Sequence, residues 1–133
     1  MATDLGELGR EVKQAQWRHH RAIERLLAVQ GTTLAQWDAL RAISRAPGSS
    51  AHDLAERTFQ SDQAFGTLAS RLVAQGLVER RPGEGRRVEH HLTEAGRATL
   101  ESAQPVVDDL FEGFFGDLSE EERVTLLALL KRV

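Results

Sequence analysis

SAHDLAERTFQSDQAFGTLASRLVAQGLVERR, residues 50–81, runs into PGEGRRVEHHLT, residues 82–93, and this stretch decides the fold. Ser50 before Ala51, His52 and Asp53 starts a short helix reaching about Arg57. Ser61 caps a second helix from Asp62 to about Gln75, because a hydroxyl at this position satisfies a free backbone N–H of the first turn. Phe65, Leu68, Ala69 and Leu72 form one apolar stripe, at steps of three, one and three. Gly76 stands where a helix ends in the left-handed conformation. Strands follow at Leu77–Arg81 and Arg87–Leu92, with Pro82, Gly83 and Gly85 supplying the turn between them. Both strands are short and polar, so the hairpin is an appendage, not a core sheet. Two helices joined by a few residues and followed by a hairpin suggest a helix-turn-helix.

Upstream, a long helix is expected from about Asp4 to Val29. Leu5, Leu8, Val12, Ala15, His19, Ala22, Leu26 and Val29 alternate steps of three and four, the spacing of a helix seam with His19 as its polar member. Gly31 ends it, and Thr33 with Gln36 reads as a capping box. The next helix runs to about Arg45, with Trp37, Leu40 and Ile43 as its inner face, and Pro47-Gly48 is a turn. Downstream, Thr93 caps a long helix toward Phe115, which Pro105 should kink or interrupt. Ser119 and Glu122 form a second capping box. It opens a last helix in which Val124, Leu126, Leu127, Leu129 and Leu130 make more than one side apolar, implying burial against another helix.

Length and composition exclude several classes. The 133 residues fit one domain. There is no cysteine, hence no disulfide, thiolate metal site or thiol redox sensor. No apolar run is long enough to span a membrane and the N-terminus has no secretory pattern, so a cytoplasmic protein is expected. No nucleophile elbow, phosphate loop or metal-spaced motif is present, so no enzyme and no cofactor are expected. Net charge is −3, yet Arg41 to His91 carries eight arginines against six carboxylates, while Leu92 to Val133 carries nine carboxylates against four basic residues. The asymmetry points to a basic middle.

The order of elements resembles the multiple antibiotic resistance regulator (MarR) family over nearly the whole chain. Residues 50–81 look like the family's helix-turn-helix and first wing strand. GEGRRVEHHLTEAGR looks like the wing and the start of the next helix, and LSEEERVTLLALLKRV like the final helix. The resemblance implies a mostly α fold with a small β-hairpin wing. A winged helix-turn-helix lobe, residues 33–92, is flanked by dimerisation helices at 1–30 and 93–133. It also implies a homodimeric transcription regulator, usually a repressor, on a pseudo-palindromic operator, with a small ligand releasing it. The dimer interface maps onto Leu5, Leu8, Val12, His19, Val124, Leu127 and Leu130. An effector pocket maps onto Trp17, His20, Trp37, Leu40 and Arg41. The sequence departs from the pattern at the wing, with Glu84 for the usual Asp and Gly85 at an often basic position, while Arg86 is kept. Arg71 is nearly the only basic residue of the recognition helix.

On double-stranded DNA such a helix offers its N-terminal residues to base edges. Those are Ser61, Asp62, Gln63 and Thr67, with Gln60 just before; Ser61, Thr67 and Ser70 can reach phosphates or bases. Gln63 can pair with adenine and Asp62 can accept from cytosine; equally, Ser61 can be only a cap and Asp62 only a partner of the helix dipole. Phosphate contacts fall to Arg71, Arg80, Arg81, Arg86 and Arg87, with Arg86 at the wing tip placed for the minor groove. Arg71 has an alternative, a pair with Asp53 or Glu56. His19–His20 and His90–His91 each diverge from one another, so no metal site is expected. The competing reading is a winged helix for protein contact without DNA, favoured by the acidity and opposed by the Arg80-Arg81 and Arg86-Arg87 pairs.

Overall fold

The computed structural model describes residues 2–133. In chain order the elements are α1 (Leu5–Val29), α2 (Leu34–Arg45), α3 (Ala51–Arg57), α4 (Asp62–Ala74), β1 (Val78–Pro82), β2 (Val88–Leu92), α5 (Glu94–Phe115) and α6 (Glu120–Leu130). Each helix starts on a residue whose side chain accepts from its first turn: Asp4, Thr33, Ser50, Ser61, Thr93 and Ser119. Such caps contribute about 1 kcal/mol each. At Ser119 the cap is reciprocal, since Glu122 bonds back to the Ser119 N–H, and that bond holds the Glu122 carboxyl below its ordinary pKa. At Thr33 the expected reciprocity is missing, because Gln36 Oε1 accepts from the Thr32 hydroxyl instead, at 3.2 Å.

Pro105 does not interrupt α5, which runs unbroken from Glu94 to Phe115. The proline removes one bond to the carbonyl of Glu101, but both residues lie on the exposed face, where water can serve that carbonyl.

The core joins five helices and the hairpin: Leu27 of α1, Trp37, Leu40 and Ile43 of α2, Leu54 of α3, Phe65 and Leu72 of α4, Val78 of β1, and Leu100 and Val107 of α5 are all buried. Two parts stay outside it. The first half of α1 buries nothing, leaving Leu5, Leu8 and Val12 exposed, and α6 has no buried residue at all, with Val124, Leu127 and Leu130 open. The expected burial of α6 is therefore not met within a single chain. His19, expected on the same seam, stacks on Phe114 of its own chain at 3.9 Å and meets Phe115 edge-on.

The hairpin is antiparallel, pairing Val78 with Leu92 and Pro82 with Val88. One further bridge, Ser49 to His90, ties β2 to the turn after α2. His90 is buried there, and both its backbone N–H and its Nδ1–H donate to the Ser49 carbonyl, at 3.1 and 3.0 Å. Its Nε2 has no partner and burial lowers its pKa. The folded chain thus prefers neutral His90, so its contribution to stability is complete above the unfolded value near 6.5 and is lost as pH falls below it. Urea unfolding at pH 7.5 and 5.5 should show a smaller acid-side loss in His90→Gln than in wild type. An equal loss would mean that His90 is not buried neutral.

Candidate nucleic-acid interface

Helix α4 presents two faces. Phe65, Leu68, Ala69 and Leu72 are buried, while Ser61, Asp62, Gln63, Thr67, Ser70 and Arg71 are all exposed. The α3–α4 turn passes through Phe59, whose φ of 58° is left-handed for a non-glycine residue, and closes with the Gln60 N–H on the Ala55 carbonyl. Ser61 Oγ accepts from Ala64 N at 3.1 Å, so the hydroxyl is engaged as a cap. The Thr67 hydroxyl donates back to the Gln63 backbone carbonyl, while the Gln63 side-chain amide has no hydrogen-bond partner among the described residues. Both Asp62 oxygens lie near Nδ1 of His52, at 3.0 and 3.1 Å.

The five arginines divide. Arg80 donates to Ser70 Oγ at 3.0 Å, and Arg87 donates to the Gly48 carbonyl at 3.2 Å while facing Asp53 at 3.8 Å. These contacts fasten the wing to α4 and to the start of α3. Arg81 pairs with Glu79 of its own strand. Arg71 and Arg86 have no carboxylate partner among the described residues. The suggested alternative for Arg71 is thereby corrected: Arg87 takes Asp53 and His52 takes Glu56, so neither acid is left for it. Arg86 stands at the wing tip, where Gly85 at φ 60° and the bond from Arg87 N to the Glu84 carbonyl fold the turn.

A cleft of about 330 Å³ opens between α1, α2 and α5, lined by His19, His20, Trp37, Asp38, Arg41 and Phe111 among others. Three of the expected pocket residues are there. Leu40 is not, being wholly inside the core, and neither is Trp17, which is exposed and covered by the Arg21 guanidinium at 4.9 Å. Burial raises the Asp38 pKa against the opposing pull of Arg41 and His20. Desolvation, then the Arg18 charge, lowers that of His19. The Trp37 Nε1–H is buried without an acceptor. The roles of Asp38 and Phe111 escape a linear reading because only the rotation of each helix decides which residues meet. His52 escapes it because one of its two partners, Asp62, is ten residues away.

The MarR family model matches residues 30–87, the helix-turn-helix and most of the wing. Similarity extends well beyond it. The protein named as transcriptional regulator of the hcr operon in Thauera aromatica is 30% identical over 131 residues, covering 96% of this chain and 79% of that protein. The chain belongs to the MarR family. The Pseudomonas putida transcriptional repressor NicR is 29% identical, over 96% of this chain and 82% of NicR. Among solved structures, a cysteine-to-serine variant of Escherichia coli MarR bound to operator DNA superposes with a TM-score of 0.86 at 29% identity, over 95% of this chain and 92% of that one. Bordetella bronchiseptica BpsR, whose DNA binding is regulated by 6-hydroxynicotinic acid, gives 0.83 at 26%, over 98% and 97%. The winged-helix architecture and the membership of a family of transcription regulators are thus as expected. Among the described residues no helix is long and apolar enough to cross a membrane, and no group of side chains is arranged to hold a metal ion.

Proposed function

We propose that the chain is a homodimeric repressor that docks α4 in the major groove of a pseudo-palindromic operator, sets Arg86 against the minor groove, and is released by a small organic ligand. The observation that carries the reading is the joining of two exposed features into one lobe. The open polar face of α4 and the unpaired wing-tip Arg86 are linked through Arg80 to Ser70 and through Arg87 to Gly48. That link fixes the distance between a groove-reading helix and a phosphate-seeking cation. Operator DNA on the E. coli MarR variant and the repressor role of NicR support it. The cleft supports a ligand: the Arg41 guanidinium beside the Trp37 and Phe111 rings suits an aromatic acid. Such a regulator would work in the cytoplasm, beside the chromosome.

The test is fluorescence anisotropy on DNA from upstream of its own gene, with scrambled DNA as control, over a range of salt. Preference for the native fragment with a steep salt dependence is expected. Arg86→Ala should weaken binding to all sequences and reduce the salt slope by about one unit per protomer. No binding to either DNA by a folded dimer would favour the protein-contact reading. One observation favours that reading now: Asp53, Glu56 and Asp62 cluster beside the start of α4, where phosphates would approach.

A further inference from the structure

That acidic cluster is organised around a histidine. His52 is the second residue of α3 and is exposed. Its Nδ1 lies 3.0 Å from Asp62 Oδ1, across the α3–α4 turn, and its Nε2 lies 3.3 Å from Glu56 Oε1, one turn along its own helix. A neutral imidazole has one N–H and one bare nitrogen, so it can donate to only one of these carboxylates and must set a lone pair against the other. With a carboxylate at each nitrogen, the ring is suited in both contacts only as the doubly protonated imidazolium. The two acids lie on opposite sides of the ring and cannot converge on one ion, which agrees with the absence of a metal cluster among the described residues.

We propose that protonated His52 is a positioning residue for DNA: it clamps Asp62 at the leading end of α4 and cancels one negative charge there, so that operator binding is strengthened by a proton at each half-site. The inference rests on the DNA-binding reading.

The charges around the ring are few. Glu56 and Asp53 face it from α3 and Asp62 from α4, while Arg87 of the wing is committed to Asp53. The hydrogen bond His52 donates to Asp62, then the charges of Asp62, Glu56 and Asp53, raise the His52 pKa above its ordinary value against a small opposing desolvation. With the proton on, Asp62 is held by both oxygens and keeps lone pairs for a base edge. With it off, Asp62 and Glu56 stand as two uncompensated carboxylates in the path of the phosphates. Approaching phosphates favour the imidazolium further, so binding takes up a proton and affinity falls as pH rises through the His52 pKa. If DNA raises that pKa by one half to one unit, affinity falls about three- to tenfold per half-site between the acid and alkaline limits.

The experiment has two arms on the full-length protein. Proton NMR of the free protein follows the His52 ring; a titration above the ordinary histidine range, lowered in both Glu56→Gln and Asp62→Asn, is expected. Anisotropy on the upstream DNA from pH 5.5 to 8.5 should show affinity falling with pH in wild type and losing that slope in His52→Gln, while His52→Lys binds with little pH dependence. An ordinary or lowered His52 titration, or one that ignores both acid variants, overturns the clamp. A raised titration with a pH slope that survives His52→Gln overturns its role in DNA binding while the DNA reading stands. A raised titration with no DNA bound at any pH overturns the proposal together with the DNA reading beneath it.

Discussion

Leu127→Glu combined with Leu130→Glu should turn the protein into a folded monomer and lower operator affinity by at least about 100-fold. Both leucines lie on α6, which buries nothing within its own chain, so the core of α1 to α5 loses no contact when they become charged. Exposed Val124 on the same helix, and exposed Leu5, Leu8 and Val12 on the first half of α1, leave a large apolar surface open on one chain. In the homodimer proposed above these side chains form the interface. Two glutamates at the centre of such an interface would be buried without partners, a cost of several kcal/mol that breaks association. The effect on DNA is then indirect. A dimer holds its second recognition lobe at a high effective concentration over the second half-site, and linked sites of this kind gain about 10²–10⁴ in affinity. Sedimentation equilibrium and circular dichroism on the same sample check the first half, and anisotropy on a two-half-site duplex checks the second. A variant that stays dimeric would move the interface away from α6. A folded monomer that binds as well as wild type would mean that each lobe acts alone.

This region also shows why some features are legible in a sequence and others are not. Helix starts are local: Asp4, Thr33, Ser50, Ser61, Thr93 and Ser119 each sit next to the N–H groups they satisfy, so their spacing places six helices within a residue or two. The stripe of α4 is local too, and Phe65, Leu68 and Leu72 are buried as their spacing implies. Pro105 misleads because its local cost is real but falls on a solvated face. The α6 leucines are legible as apolar, but their spacing does not say whether the neighbouring helix belongs to the same chain. The candidate site is less legible still. Whether Arg87 seeks a phosphate or Gly48, whether Arg71 meets Asp53, and whether His52 meets Asp62 all depend on how the wing and α3 lie against α4. Trp17 and Leu40 were placed in the cleft by resemblance, and the rotation of α1 and α2 took both out of it.

Gly96 carries a second large effect that nothing local announces. It lies in the first turn of α5, where its N–H donates to the Thr93 hydroxyl, and its Cα faces the junction of α4 and β1. A Cβ added there would stand 2.0 Å from the carbonyl oxygen of Leu77 and 3.0 Å from its carbon. Both are backbone atoms, so no side chain can swing aside. That carbonyl also accepts from Thr93 N at 3.1 Å, and the Thr93 hydroxyl donates to the neighbouring Gly76 carbonyl. The start of α5 is therefore bonded to the very segment it would have to leave. Gly96→Ala should cost about 3 kcal/mol, at the upper end of overpacking in a closed site, and lower the thermal midpoint by about 10 °C. The gain an alanine normally brings to a helix interior, about 1 kcal/mol, is too small to offset this. Gly113→Ala is the control, since nothing lies within 4 Å of a Cβ at that position of the same helix, and it should be neutral or stabilising. If both variants melt together, α5 does not pack on Leu77 as closely as the fold requires. If only Gly96→Ala melts early, the close approach of α5 to the Leu77 carbonyl at the α4–β1 junction is a contact the fold depends on.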